Sequence, residues 1–149
     1  MICQLAGHDP VRVYAEGGNL AEPSPTQTPD SAIITLGFPD GSSGVEFLSS
    51  VGNNGFPKEE VQVTCANHTI VIYGFQRMMA YSPEGERESV LPEVDKGHRD
   101  LLRAFGEAIL QDGPSPMGIP EALRASLCTF AALKSIKTGE RQLLSKISA

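Results

Sequence analysis

Long apolar runs are missing from these 149 residues. None approaches the ~18 consecutive residues that a membrane-spanning helix needs. No charged-then-apolar leader opens the chain either; Met1 runs straight into Ile2-Cys3-Gln4-Leu5. Positive charge is scarce: twelve Lys and Arg against eighteen Asp and Glu give a net charge of −6. The cations form no stripe, so nucleic-acid binding, which sets Lys and Arg against phosphates, is not expected. Cysteine is sparse too. Cys3, Cys65 and Cys128 lie far apart, with no CxxC or Cys/His spacing for zinc. Free thiols in apolar patterns suit a reducing, cytoplasmic setting.

Several chemical signatures are absent as well. No GxGxxG follows a strand, no P-loop is present, and nothing alternates as βαβ. Gly17-Gly18 has no helix after it. No GxSxG holds a nucleophile on a strained turn. Glu59 and Glu60 are neighbours on an extended pattern and so point to opposite faces. His8, His68 and His98 have no ligand-spaced partner. Catalytic residues and a metal site are therefore not expected within the chain.

What is present is a run of short strands followed by two helices. Residues 11–15 alternate. Residues 17–30 read as a surface loop. Residues 31–38 form the clearest strand, with Ala32, Ile34, Leu36 and Phe38 on one face and Ile33, Thr35 and Gly37 on the other. Asp40-Gly41 turns the chain into 43–51, where Val45, Phe47 and Val51 are expected inward. Val61, Val63 and Cys65 alternate with Glu60, Gln62 and Thr64; weaker strands follow at 69–73 and 77–81. Residues 82–95 read as a second exposed loop. The period then changes to 3.6: Leu101, Phe105, Ala108 and Ile109 share one stripe, with Asp95 as the expected cap. A second helix starts near Pro120 and stops at Thr138-Gly139. The expectation is a single α+β domain over 1–149, an open, mostly antiparallel sheet of about six strands with helices on one face. Its other face, carrying Ile33 and Leu48, is open enough to be a partner surface.

The loop Gly55-Phe56-Pro57-Lys58-Glu59 joins an aromatic, a rigid proline and a cation between strands. Loops on a rigid scaffold are common seats of function. Asn54 and Lys58 are the candidate substrate-binding residues from this loop. His98 joins them from the first turn of the first long helix.

Taken in order, these segments resemble the C-terminal domain of the Gfo/Idh/MocA oxidoreductases. The run Asp30 to Gly44 is similar to that family's sheet hairpin, and Phe56-Pro57-Lys58-Glu59 into Val61-Gln62-Val63 to its next strand. Lys96-Gly97-His98-Arg99 with Phe105 to Ile109 is similar to its first late helix. Pro114-Ser115-Pro116, Glu121-Ala122-Leu123 and Thr129 to Glu140 are similar to its last. The Phe-Pro-Lys-Glu run also resembles members fused to a zinc-type alcohol dehydrogenase module.

The resemblance implies a parent with an N-terminal Rossmann domain that binds NAD or NADP, and a C-terminal domain that lines the substrate pocket and builds a homodimer or homotetramer through the open sheet face. The implied substrate is a small polyol or sugar-like molecule. The family's HxxD-type motif precedes a segment here matched by Leu5-Ala6-Gly7; by that spacing its Asp falls just before Met1 and its His three residues earlier. The glycines and the Glu-Lys-Pro lysine belong to the Rossmann half. The implied role is a substrate-binding and oligomerisation domain that binds no cofactor and is not catalytic alone. A stand-alone dimerising or small-ligand module is the other reading.

Overall fold

The computed structural model describes residues 1–21 and 28–145. The chain forms two compact units: Met1–Gly52 with Met117–Ala149, and Asn53–Pro116. Each holds one four-stranded antiparallel sheet. The α+β class and the antiparallel pairing agree with the sequence pattern. The strands, however, number eight among the described residues and belong to two sheets.

In the first unit, helix α1 (Ile2–Ala6) leads to strands β1 (Arg12–Gly18), β2 (Ser31–Gly37) and β3 (Ser43–Ser49). Gly17 and Gly18, expected in a loop, complete β1 opposite Ala32 and Ser31. Part of that expected loop, residues 22–27, lies outside the described residues. The β2–β3 turn is set by Asp40, whose carboxylate accepts the Ser42 N–H at 3.0 Å and the Ser42 hydroxyl proton at 2.7 Å. These two bonds favour the anion and hold the Asp40 carboxyl below its ordinary range.

Alternation along β1 and β2 turns Val13, Ala15 and Leu36 inward, and Phe38 just past β2 joins them. Val13 is 0% and Phe38 1% exposed, which makes them the centre of the core. A long helix, packed across β1, covers this face with Ala131 and Ala132. That helix runs Ile119–Thr138, with Pro120 in its first turn, where a missing N–H is harmless. It ends at Gly139, whose φ of 70° lets its N–H reach back to the Ser135 carbonyl at 2.8 Å. The chain then forms the two-residue edge strand Gln142–Leu143 beside Arg12 and Val13. Gly44 has no Cβ because Ile2 of α1 occupies the space one would need.

One expectation fails here. Val45 and Phe47 do not face the core; they are 63% and 74% exposed. The register sets Phe47 opposite Ile33 and Val45 opposite Thr35, so all four share the outer face. Leu48, expected outward, pairs with Ala32 on the helix side. A shift of one residue in register exchanges the two faces of a strand. Both faces of β3 carry apolar residues, so its own sequence could not choose between them.

The second unit is a four-strand meander: β4 (Glu60–Cys65), β5 (His68–Tyr73), β6 (Arg77–Ser82) and β7 (Gly85–Val90). The first two turns have positive φ at both central residues, Ala66 with Asn67 and Gly74 with Phe75. That geometry matches the twist of the flanking strands. Strand β7 was expected to be part of a loop. Its Glu86-Arg87-Glu88 core gives no apolar alternation; pairing with β6 makes it a strand, and its six residues are all exposed. Charges of this kind suit an edge that must not recruit another strand. Helix α2 (His98–Leu110) completes the unit, and the Ile119–Thr138 helix is α3. Asp95 is not the cap of α2: Gly97 holds that position, and the Asp95 carboxylate accepts the Gly97 N–H at 2.8 Å. The stripe Leu101, Phe105 and Ile109 forms as expected, yet no residue of α2 is buried.

Ser135, fully buried, joins α3 to the sheet. Its Oγ accepts the Ala15 N–H at 2.9 Å and donates to the Glu140 carbonyl at 2.7 Å. Ser135→Ala strands both groups and should lower the first unit's unfolding free energy by about 1–3 kcal/mol, read from urea titration. A loss under a few tenths of a kcal/mol would show that water replaces the hydroxyl.

Candidate functional site

The registers Glu60↔Tyr73, Tyr73↔Arg77 and Arg77↔Val90 place the start of β4 and the ends of β5 and β7 at one end of the second sheet. The connections there are tied by backbone bonds. The Gly74 N–H donates to the Glu59 carbonyl at 2.8 Å. The Leu91 N–H donates to the Gln76 carbonyl at 2.8 Å and the Asp95 N–H to the Phe75 carbonyl at 3.1 Å. One ion pair crosses the same region: Lys96 Nζ lies 2.5 Å from Glu59 Oε1, with both side chains about one-third exposed.

These bonds gather two of the sequence-predicted segments. Lys58 immediately precedes Glu59, and His98 lies two residues after Lys96. Asn54 stands in the turn that starts the loop, where Phe56 N–H meets the Asn53 carbonyl at 3.0 Å and the Asn53 side chain accepts the Gly55 N–H at 2.8 Å. The side chains of Asn54, Lys58 and His98 are all exposed. None makes a side-chain hydrogen bond or ion pair among the described residues. They therefore offer an amide, an ammonium and an imidazole to solvent at the margin of one unit. That set can bind hydroxyl or anionic groups. It supplies no nucleophile with a paired base, and no cluster of three or more His, Cys, Asp or Glu able to hold a metal occurs among the described residues.

Sequence reasoning missed the framework beneath these residues. Phe75 is half-buried and holds φ 53°, a conformation costing roughly 1–2 kcal/mol for a residue with a side chain. Its signal was the two-residue Gly74-Phe75 connection between two alternating runs. Arg77 lies over the Tyr73 ring at 5.9 Å and pairs with Glu88 at 2.6 Å. The Lys96–Glu59 pair, 37 residues apart, had no local signal.

In the first unit the outer sheet face carries Tyr14, Ile33, Val45 and Phe47, all substantially exposed. Tyr14 donates to Glu16 Oε1 at 2.6 Å; this bond, then the carboxylate's charge, raises the phenol above its ordinary value.

No family model matches the sequence, and no curated protein matches it. Solved structures do match in fold. An oxidoreductase from Agrobacterium radiobacter, solved with NAD+, L-tartaric acid and magnesium, superposes with TM-score 0.78 at 17% identity, over 95% of this chain and 45% of its own. Aldose-aldose oxidoreductase from Caulobacter crescentus, with glycerol, gives 0.80 at 19%, over 96% and 44%. UDP-N-acetylglucosamine 3-dehydrogenase from Acidithiobacillus ferrooxidans gives 0.77 at 15%, over 91% and 43%. The fold is shared with a portion of these oxidoreductases, and the chain spans less than half the length of each. No helix is long and apolar enough to cross a membrane among the described residues.

If Lys96 tethers the Lys58 loop, Lys96→Ala should cost less than about 1 kcal/mol globally, as partly exposed pairs do. It should still speed amide exchange in residues 53–59 relative to the β4–β5 strands. Unchanged exchange in that loop would remove the tether from the site.

Proposed function

We propose that the chain, both units together, is the substrate-side and oligomerisation domain of an NAD(P)-dependent oxidoreductase of the Gfo/Idh/MocA family. The observation that carries this is the fold match: three oxidoreductases follow this chain over 91–96% of its length while leaving more than half of their own unmatched. Low identity makes the match an argument about architecture, and the ordered segment resemblance supports the same reading independently.

The chain's own elements do not fit a dinucleotide. Every strand pairing among the described residues is antiparallel, so no βαβ turn places a helix N-terminus at a strand end for a pyrophosphate. A nicotinamide would be held by a Rossmann half and would supply the hydride chemistry there. The role left to this chain is binding and orientation. Lys58 would meet an anionic or strongly polar group, Asn54 would exchange hydrogen bonds with hydroxyls, and His98 would add a donor or acceptor. A small polyol or sugar-like molecule suits that set. Free, scattered cysteines support a cytoplasmic location. A fused alcohol dehydrogenase module rests only on the Phe-Pro-Lys-Glu resemblance.

The outer sheet face favours a second copy. Phe47, Val45 and Ile33 form an exposed apolar patch, the kind that oligomer interfaces bury. The same patch is also what a stand-alone dimerising module would display. Dinucleotide binding does not separate the two readings; a Rossmann reading frame in phase upstream of the Met1 codon does, and only the oxidoreductase reading expects it.

Calorimetry of the purified chain with NAD(H) and NADP(H) should show no heat of binding, and micromolar affinity would refute the reading. Light scattering should show a dimer or larger. Phe47→Glu should shift it to monomer with the thermal midpoint of the second unit unchanged, while a wild-type monomer would discard the open face as an interface.

A further inference from the structure

The outer face of the first sheet is ordered both in charge and in thickness. Register arranges it in cross-strand rows. Arg12, Gly37 and Ser43 form one row, and Glu16, Ile33 and Phe47 form another. Tyr14, Thr35 and Val45 lie between them. Val13 and Ala15 point into the core, so Arg12 and Glu16 share the outer face of β1. They stand about 13 Å apart along it, at ~3.3 Å per residue.

The Arg12 row is thin. Gly37 has no side chain, and the Arg12 side chain lies flat across it, where a Cβ would collide with the guanidinium. Ser43 adds little height. The Glu16 row is thick, with Ile33 50% and Phe47 74% exposed. The Arg12 side chain has no ion pair or hydrogen bond among the described residues. Glu16 accepts the Tyr14 hydroxyl proton at 2.6 Å and has no cation paired with it among the described residues.

We propose that a second copy of this chain docks face to face here, about a two-fold axis that lies in the interface and crosses the strands. The proposal rests on the open-face reading above and fixes its geometry. Such an axis keeps each strand over its own counterpart and reverses the order of the rows. The Arg12 row of one copy then faces the Glu16 row of the other, so thin meets thick. Arg12 pairs with the partner's Glu16, and Glu16 with the partner's Arg12, giving two ion pairs per dimer. The Tyr14 row lies on the axis and meets itself. An axis running along the strands fails on charge. It sets Glu16 over the partner's Phe47, which buries a carboxylate without a cation and leaves Arg12 unpaired.

The test measures self-association of the full chain by light scattering over a range of concentrations. Arg12→Glu and Glu16→Arg should each raise the dimer Kd by roughly 100-fold, because each sets like charges together at both pairs. The double variant R12E/E16R should return to within about tenfold of the unmodified chain. Mixed in equal amounts, the two single variants should associate with each other, since position 12 of either then faces the opposite charge at position 16 of the other. First-unit thermal midpoints, compared at concentrations where every chain is monomeric, separate lost pairing from lost folding. A mixture that stays monomeric, or single variants that dimerise like the unmodified chain, would overturn this axis, while the Phe47→Glu result still decides the face itself. An unmodified chain that is monomeric throughout overturns both.

Discussion

The first unit depends on one buried hydroxyl. A sheet edge running beneath a helix leaves a strand N–H without a partner wherever the neighbouring strand has ended. The strand Gln142–Leu143 reaches only Arg12 and Val13, so Ala15 lies beyond it. Ser135 meets that N–H from the last turn of α3 and passes its own proton to Glu140, the residue that turns the chain toward the edge strand. A buried polar group left unpaired costs far more than a paired one contributes. The hydroxyl therefore fixes helix, strand and C-terminal turn against each other, and the core of Val13, Phe38 and the α3 alanines forms at that junction.

With α3 committed to one face, the other face of the same sheet stays uncovered. Register places Phe47 and Ile33 opposite each other there, and Tyr14 beside them. The same logic holds for α2, whose apolar stripe is complete and whose residues are all at least partly exposed. Exposed apolar surfaces of this kind are ones that partners commonly cover. Asn54, Lys58 and His98 likewise leave an amide, an ammonium and an imidazole exposed to solvent.

Much of the fold was legible. Strong alternation marked Ser31–Gly37, the Asp40-Gly41 turn marked the hairpin, and Pro120 and Gly139 bounded α3 to within a residue or two. The faces of β3 were not legible, because apolar residues occupy both sides and only pairing with β2 decides between them. Strand β7 was hidden for the opposite reason: a charged edge strand has no apolar pattern to read. At the candidate site, Lys58 and His98 stood out as residue types in suggestive places. What brings their segments together, the Lys96–Glu59 pair and the bonds around Phe75, links residues with no sequence neighbourhood.

By itself the sequence determined the antiparallel α+β character, the two late helices, and the lack of a dinucleotide fingerprint. These follow from periodicity, turn chemistry and short motifs, which act over a few residues. Only the tertiary structure decided which apolar residues became core and which became surface, and how the strands divided into two sheets. Those outcomes depend on register and on packing between distant segments, where a shift of one residue or one helix reverses the result.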